Sequence, residues 1–148
     1  MHNPCLLSPS ERLQDWRKFR ESLELYSFSY MVTESVIDWW SSLPYSLRSI
    51  DIYDSKQWPT PWELVFHGDY CKSSISLGIA YTLCLIGEDW RSRIKLLMID
   101  DSGLDICLVV LLDDKYLINY NYREITDFDS VEIQVLETFS CDNSICFN

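Results

Sequence analysis

A chain of 148 residues, 47% apolar and 14% aromatic, holds enough hydrophobic material for one buried core without disulfide or metal support. Its formal charge of −11 opposes direct binding to nucleic-acid phosphates and to anionic membrane surfaces. Met1-His2-Asn3-Pro4-Cys5 lacks the basic start of a secretory signal, and no stretch approaches the ~20 apolar residues of a membrane span, so a cytoplasmic setting is expected.

The first helix opens at Ser8-Pro9-Ser10-Glu11, where Ser8 caps, Pro9 suits the first helical position and Glu11 completes a capping box. It runs to about Leu23, with Leu13, Trp16 and Phe19 at helical spacing. A second helix is predicted over Met31 to Ser42, with Val32, Val36 and Trp39 or Trp40 inward and Pro44 as its stop. Arg48 to Pro59 reads as an ordered loop. Thr60-Pro61-Trp62-Glu63 repeats the capping signature and starts a short helix, which Gly68-Asp69 ends.

Cys71 to Ile86 is the most apolar helix, with Ile75, Ile79, Leu83 and Ile86 on one face and Leu77, Ala80, Cys84 and Leu85 around it. Such a helix is buried on several sides. Gly78 at its centre costs about 1 kcal/mol relative to alanine, which points to a close packing contact. Gly87 is placed to cap its end.

The period then changes to two. Ile94 to Ile99 is a strand, Asp100-Asp101-Ser102-Gly103 a turn, and Leu104 to Leu112 a second strand. After Asp113-Asp114-Lys115, Tyr116 to Tyr120 pairs back as a hairpin. Val131, Ile133 and Val135 alternate with Glu132 and Gln134 as a fourth strand with one wet face, and the tail after Phe139 is expected to be loose. The predicted fold is therefore α+β: N-terminal helices and one buried helix packed on an antiparallel sheet of about four strands. It is a single domain over 1–148, with a helical layer (1–57), a core (58–139) and a tail (140–148).

The cysteines are Cys5, Cys71, Cys84, Cys107, Cys141 and Cys146. Cys84 and Cys107 lie in apolar runs and read as buried small hydrophobes. Cys141 and Cys146 have a spacing no metal motif uses, and with only His2 and His67 in the chain no metal site and no cofactor are expected. Cys71 stands apart, at the start of the most buried helix. Free N–H groups and the positive end of the helix dipole favour a thiolate there and suit an oxyanion.

Trp58-Pro59-Thr60-Pro61-Trp62-Glu63-Leu64, then Gly68-Asp69-Tyr70-Cys71, then a long apolar helix ending at Gly87 resemble the transglutaminase-like cysteine proteinases. The resemblance spans about Trp58 to Tyr120 and implies a papain-like/transglutaminase-like core with Cys71 as nucleophile. It puts Asp105 at the position of the family's histidine, on Asp105-Ile106-Cys107-Leu108-Val109-Val110, and Asn119 in the third role. Lys72-Ser73-Ser74 stand where the family has acidic residues, so its calcium site is not carried over. The Trp-Pro-Thr-Pro-Trp-Glu phrase with the Tyr-Cys helix also resembles small proteins of tailed bacteriophages.

Asparagine can orient an imidazole, but aspartate cannot replace one. A carboxylate about 4 Å from the sulfur would oppose the thiolate by ~4 kcal/mol at an effective dielectric of 20. The helix dipole favours it by only about 0.3–2 kcal/mol. No histidine follows Cys71; His67, four residues before it, is the one remaining candidate base, and Lys72 is expected to face solvent. Three functions follow. The first is a catalytically degenerate scaffold that binds a host or virion protein. The second is an active cysteine peptidase or acyl transferase. The third is an acidic inhibitor of a nucleic-acid-binding host protein. Trp39, Trp40, Trp58 and Trp62 either pack the core or form a contact surface.

Overall fold

The computed structural model describes residues 4–26, 29–44, 46, 50–68, 71–101, 103, 105–142 and 145–148. His2, Arg48, Asp69, Tyr70, Ser102 and Leu104, used in the sequence argument, lie outside the described residues.

Helix α1 (Pro9–Leu23) begins as its capping box dictates: Glu11 N donates to Ser8 Oγ and Ser8 N to Glu11 Oε1, each at 3.3 Å. Helix α2 (Ser29–Ser41) starts two residues earlier than the apolar period indicated and buries Val32, Val36, Ile37, Trp39 and Trp40. Helix α3 (Pro61–His67) repeats the capping box with Thr60 and Glu63. It ends at Gly68, whose φ of 73° is the left-handed conformation in which glycine carries no steric cost. Helix α4 (Lys72–Ile86) is buried at all but two of its positions, Lys72 and Leu85, as its continuous apolarity predicts.

Gly87 does not stop the chain. Its backbone is extended (φ 178°), a conformation open to any residue, and it leads into a further helix, α5 (Glu88–Arg93). The sequence argument missed α5 because six residues are too few to show a period. Acidic Glu88 and Asp89 in its first turn and Arg91 and Arg93 in its last complement the helix dipole.

Five antiparallel strands follow: β1 (Ile94–Asp100), β2 (Ile106–Leu112), β3 (Tyr116–Ile118), β4 (Ile125–Asp127) and β5 (Gln134–Ser140). Their order is β4-β3-β2-β1-β5, so β5 returns to the edge opposite β4 and pairs with β1. The antiparallel sheet of about four strands is thus present with one strand more; β4, with three residues, is too short for alternation to register. The last strand also lies later than predicted. Val131 and Ile133 pack beneath the sheet instead of extending it, and a bulge between Met98 and Ile99 shifts the β1–β5 register. The tail is paired rather than loose: Ser140 and Asn148 exchange two backbone hydrogen bonds of 2.9 Å, and Phe147 is buried.

Alternation divides the core. Leu96, Met98, Leu108, Val110, Leu112 and Ile118 face α4 and the helical layer, whereas Leu97, Ile99, Cys107, Val109, Leu111 and Leu117 face the opposite side, covered by Phe128, Val131 and Ile133. Trp39, Trp40 and Trp58 belong to the core; Trp62 is 50% exposed.

One polar device fixes α4 within its cage. Thr82 Oγ1 accepts from Trp16 Nε1 at 3.1 Å and Trp40 Nε1 at 2.8 Å, and donates to Gly78 O at 2.8 Å. A Cβ on Gly78 would stand 2.5 Å from the Trp40 ring, which is the close packing contact the mid-helix glycine implied.

Candidate active site

The approach to Cys71 is set by an arginine on α1. Arg12 is buried and its guanidinium donates to four carbonyls: Nε to Pro4 O (3.1 Å), Nη1 to Val65 O (3.1 Å) and Phe66 O (2.9 Å), and Nη2 to Leu7 O (3.0 Å). Val65 and Phe66 lie in the last turn of α3, so the cation caps carbonyls at the negative end of the helix. Any side chain at Gly68 would collide with this guanidinium. Arg12 and Gly68 thus fix where α3 ends and the short link to Cys71 begins.

Cys71 is the N-cap of α4, and its own carbonyl accepts from Ile75 N at 3.1 Å. The sulfur is half-buried and lies 3.4 Å from Ser74 Oγ. The first-turn serines all point at partners. Ser73 Oγ accepts from Leu108 N at 3.1 Å, locking the helix start onto β2, and Ser76 Oγ accepts from Asn119 Nδ2 at 2.8 Å. Asn119 Nδ2 also donates to Lys72 O at 3.2 Å. Asn119 follows β3, is buried, and has a φ of 67°, a conformation asparagine adopts more readily than most residues.

Of the four candidate residues, two meet at this helix end. Cys71 supplies the thiol, and Asn119 clasps the turn that carries it. His67 is on the exposed side of the last turn of α3, its ring edge-on to Phe66 with centroids 5.7 Å apart. Asp105 is exposed and immediately precedes β2, and its carbonyl accepts from Asp101 N at 3.2 Å.

The strand register separates Asp105 from α4. Ile106, Leu108, Val110 and Leu112 belong to the cluster around α4; Cys107, Val109 and Leu111 belong to the other. Continued back one residue, the alternation puts Asp105 with Cys107 and leaves Ile106 facing α4. Electrostatics agree. Burial pushes the Cys107 thiol up; Asp105 and Asp101 add to that shift and Lys72 opposes it. The Asp105 carboxylate thus bears on Cys107.

Lys72 does not simply face solvent. Its Nζ donates to Tyr120 O at 2.7 Å and lies 5.9 Å from the Tyr120 ring. Tyr120 Oη in turn donates to Asp101 Oδ1 at 3.0 Å, and burial followed by that carboxylate raises the phenol above its usual range. In the sequence Ser73 and Ser74 stood out only as replacements of the family's acidic residues, and Ser76 and Tyr120 carried no assigned role. The signal was present: three serines open the most apolar helix of the chain, and buried hydroxyls need partners.

No protein-family model matches the chain, and no curated protein shows significant similarity. Solved structures do match. Calcium-bound Legionella pneumophila LapG is 13% identical, with a TM-score of 0.73 over 88% of this chain and 75% of that one. A second structure of Legionella pneumophila LapG is 12% identical, with a TM-score of 0.71 over 92% and 86%. The EGTA-treated form of the same protein is 12% identical, with a TM-score of 0.70 over 96% and 90%. Among the described residues no three His, Cys, Asp or Glu side chains gather to hold a metal ion, and beside Cys71 the chain has the ammonium of Lys72. At such low identity the likeness is one of architecture: this chain has the papain-like/transglutaminase-like cysteine-proteinase fold.

Proposed function

We propose that this chain uses a cysteine-proteinase fold as a protein-binding module and not as a hydrolase. The observation that carries the proposal is the register of β2. The α4-facing position at the start of that strand holds Ile106, an aliphatic side chain that cannot accept a proton from Cys71. A thiol nucleophile of this type works with a base that becomes cationic on accepting the proton, and no histidine follows Cys71 in the sequence. The exposed Trp62 and Phe66 on α3 supply the aromatic surface such a module would use.

The partner on this reading is a protein. The resemblance of the Trp58 to Glu63 phrase to small tailed-bacteriophage proteins suggests a host or virion component met in the bacterial cytoplasm. Binding as an acidic blocker of a nucleic-acid-binding protein is the variant that the charge of −11 favours. The rival is an active cysteine peptidase or acyl transferase with Cys71 as nucleophile and His67 as base, and the N-cap position of Cys71 favours it. Labelling with a thiol-directed activity probe at neutral pH separates them. A scaffold gives no Cys71-dependent labelling and no peptide turnover. Labelling lost in Cys71→Ala but kept in Cys107→Ala establishes the enzyme.

A further inference from the structure

The two edges of the sheet differ. β4 ends one side with three residues, whereas β5 (Gln134–Ser140) runs for seven and pairs with β1 on its inner side. The tail shows which way the β5 backbone points. Ser140 N donates to Asn148 O and Ser140 O accepts from Asn148 N, both at 2.9 Å, while Lys95 is the neighbour of Ser140 on β1. In an antiparallel ladder the two backbone groups of a residue bond to one side, and that side alternates along the strand. Thr138, two residues back and opposite Leu97, therefore also turns its N–H and carbonyl away from β1.

Phe147 and Asn148 cover this outer edge only at Cys141 and Ser140. From Gln134 to Thr138 every residue is exposed, and among the described residues no backbone hydrogen bond is made on the outer side. The stretch 131–140 holds no lysine, arginine or proline, the residues that commonly blunt an edge strand. Leu136 has no partner on β1 at the bulge and is 42% exposed, beside Val135 at 38%. The carboxylates of Glu132 and Glu137 flank these two apolar side chains.

We propose that the outer edge of β5 accepts an extended, basic and apolar segment of a protein partner as an added antiparallel strand, in line with the pairing that Asn148 begins. This gives a surface and a partner chemistry to the protein-binding reading above, on which it rests.

Main-chain hydrogen bonds hold such a strand, and the side chains opposite Val135, Leu136 and Glu137 select it. Apolar groups cover Val135 and Leu136, and a lysine or arginine faces Glu137. The charge of −11 chooses between occupants, since it attracts a basic segment and repels a second copy of this chain.

The probe is a synthetic peptide of alternating valine and lysine, about seven residues long and capped at both ends, titrated onto the full chain. Binding is expected, with slowed amide hydrogen exchange on β5. Thr138→Pro removes an outward N–H and no bond to β1, so it should melt like wild type and bind the peptide about tenfold more weakly. Glu137→Lys should weaken binding about two- to fivefold by reversing the cross-strand charge pair. The same peptide N-methylated throughout keeps its charge but cannot pair its backbone, and should not bind.

The proposal is overturned if the plain peptide does not bind, if the N-methylated peptide binds as well, or if exchange slows elsewhere than on β5. It is also overturned if Thr138→Pro folds and binds like wild type. Should that variant fail to fold, Glu137→Lys and the N-methylated peptide decide. A wild-type dimer that Thr138→Pro abolishes would assign the edge to a second copy and overturn the basic partner. Cys71 labelling judges the protein-binding reading separately: an unlabelled Cys71 with no peptide on β5 removes this surface and leaves that reading standing.

Discussion

Asn119 Nδ2 donates to Ser76 Oγ at 2.8 Å, and this bond joins the end of β3 to the first turn of α4. The same amide reaches Lys72 O, so one buried side chain positions the turn that carries Cys71. Asn119→Ala removes both bonds and sets alanine at a φ of 67°. Unsatisfied buried partners cost about 1–3 kcal/mol, and the left-handed backbone adds roughly 1–2. Chemical denaturation should show a loss of about 2–5 kcal/mol. Asn119→Gly, free of the backbone penalty, should recover the smaller part; an equal loss in both would show that the conformation costs nothing.

Thr82 holds two indoles with one oxygen. Thr82→Val keeps the shape and leaves Trp16 Nε1 and Trp40 Nε1 buried without their acceptor. At about 1–3 kcal/mol for each stranded donor, the expected destabilisation is roughly 2–6 kcal/mol. Thr82→Ser restores the oxygen and should regain most of it. Urea melts followed by tryptophan fluorescence measure both variants, since the reporting rings are the affected ones.

These two hubs mark what the sequence made legible. Capping boxes named the starts of α1 and α3 because their signal lies within four residues, and the apolarity of Leu77, Ala80, Cys84 and Leu85 announced a buried α4. Gly78 announced a close neighbour, though not that it is Trp40. Elements of three to six residues, α5 and β4, were illegible because no period develops in them. The site was half legible. Cys71 at a helix start is a local fact, but which face of β2 Asp105 takes depends on a register set by the β1 pairing and by the Ser73 bond to Leu108 N. A one-residue difference there exchanged a carboxylate for an isoleucine opposite α4.

Gly78→Ala sets two effects against each other. Alanine improves helix propensity by about 1 kcal/mol. Its Cβ would lie 2.5 Å from Trp40, whose ring is fully buried and hydrogen-bonded, so the ring cannot give way cheaply. Overpacking of this kind costs about 1–3 kcal/mol or more, and the net effect should be destabilising. Thermal unfolding of the single variant checks the sign, and a stabilised Gly78→Ala would refute the close contact.

Asp113 links stability to acid. Arg93 forms a two-point pair with it, at 2.7 and 2.8 Å, and this hydrogen bonding lowers the Asp113 carboxyl below its ordinary range. A group whose folded value is depressed adds stability above its unfolded value, near pH 4, and that stability disappears as pH falls through the lower folded value. Both side chains are partly solvated, so the gain should stay under about 1 kcal/mol. Asp113→Asn, which tolerates the φ of 55° at this turn, should remove that part of the acid dependence while leaving the neutral-pH fold intact. Stability curves at descending pH test it; parallel wild-type and variant curves would show that the pair contributes nothing.

The β2 register has a sharper consequence at the candidate site. If Ile106 faces α4 and Asp105 does not, an imidazole restored at 106 should reach Cys71, while one at 105 should not. A nearby cation favours a thiolate by about 1–3 pKa units, so Ile106→His should raise the alkylation rate of Cys71 at mildly acidic pH roughly tenfold or more. Asp105→His should leave that rate within about twofold of wild type, because a charge on the opposite face is farther away and better screened. Iodoacetamide labelling against pH, resolved by peptide mass so that Cys71 and Cys107 are read separately, distinguishes the positions. A gain confined to Asp105→His would reverse the register assignment, and with it the reason for regarding Ile106 as the residue that leaves Cys71 without a base.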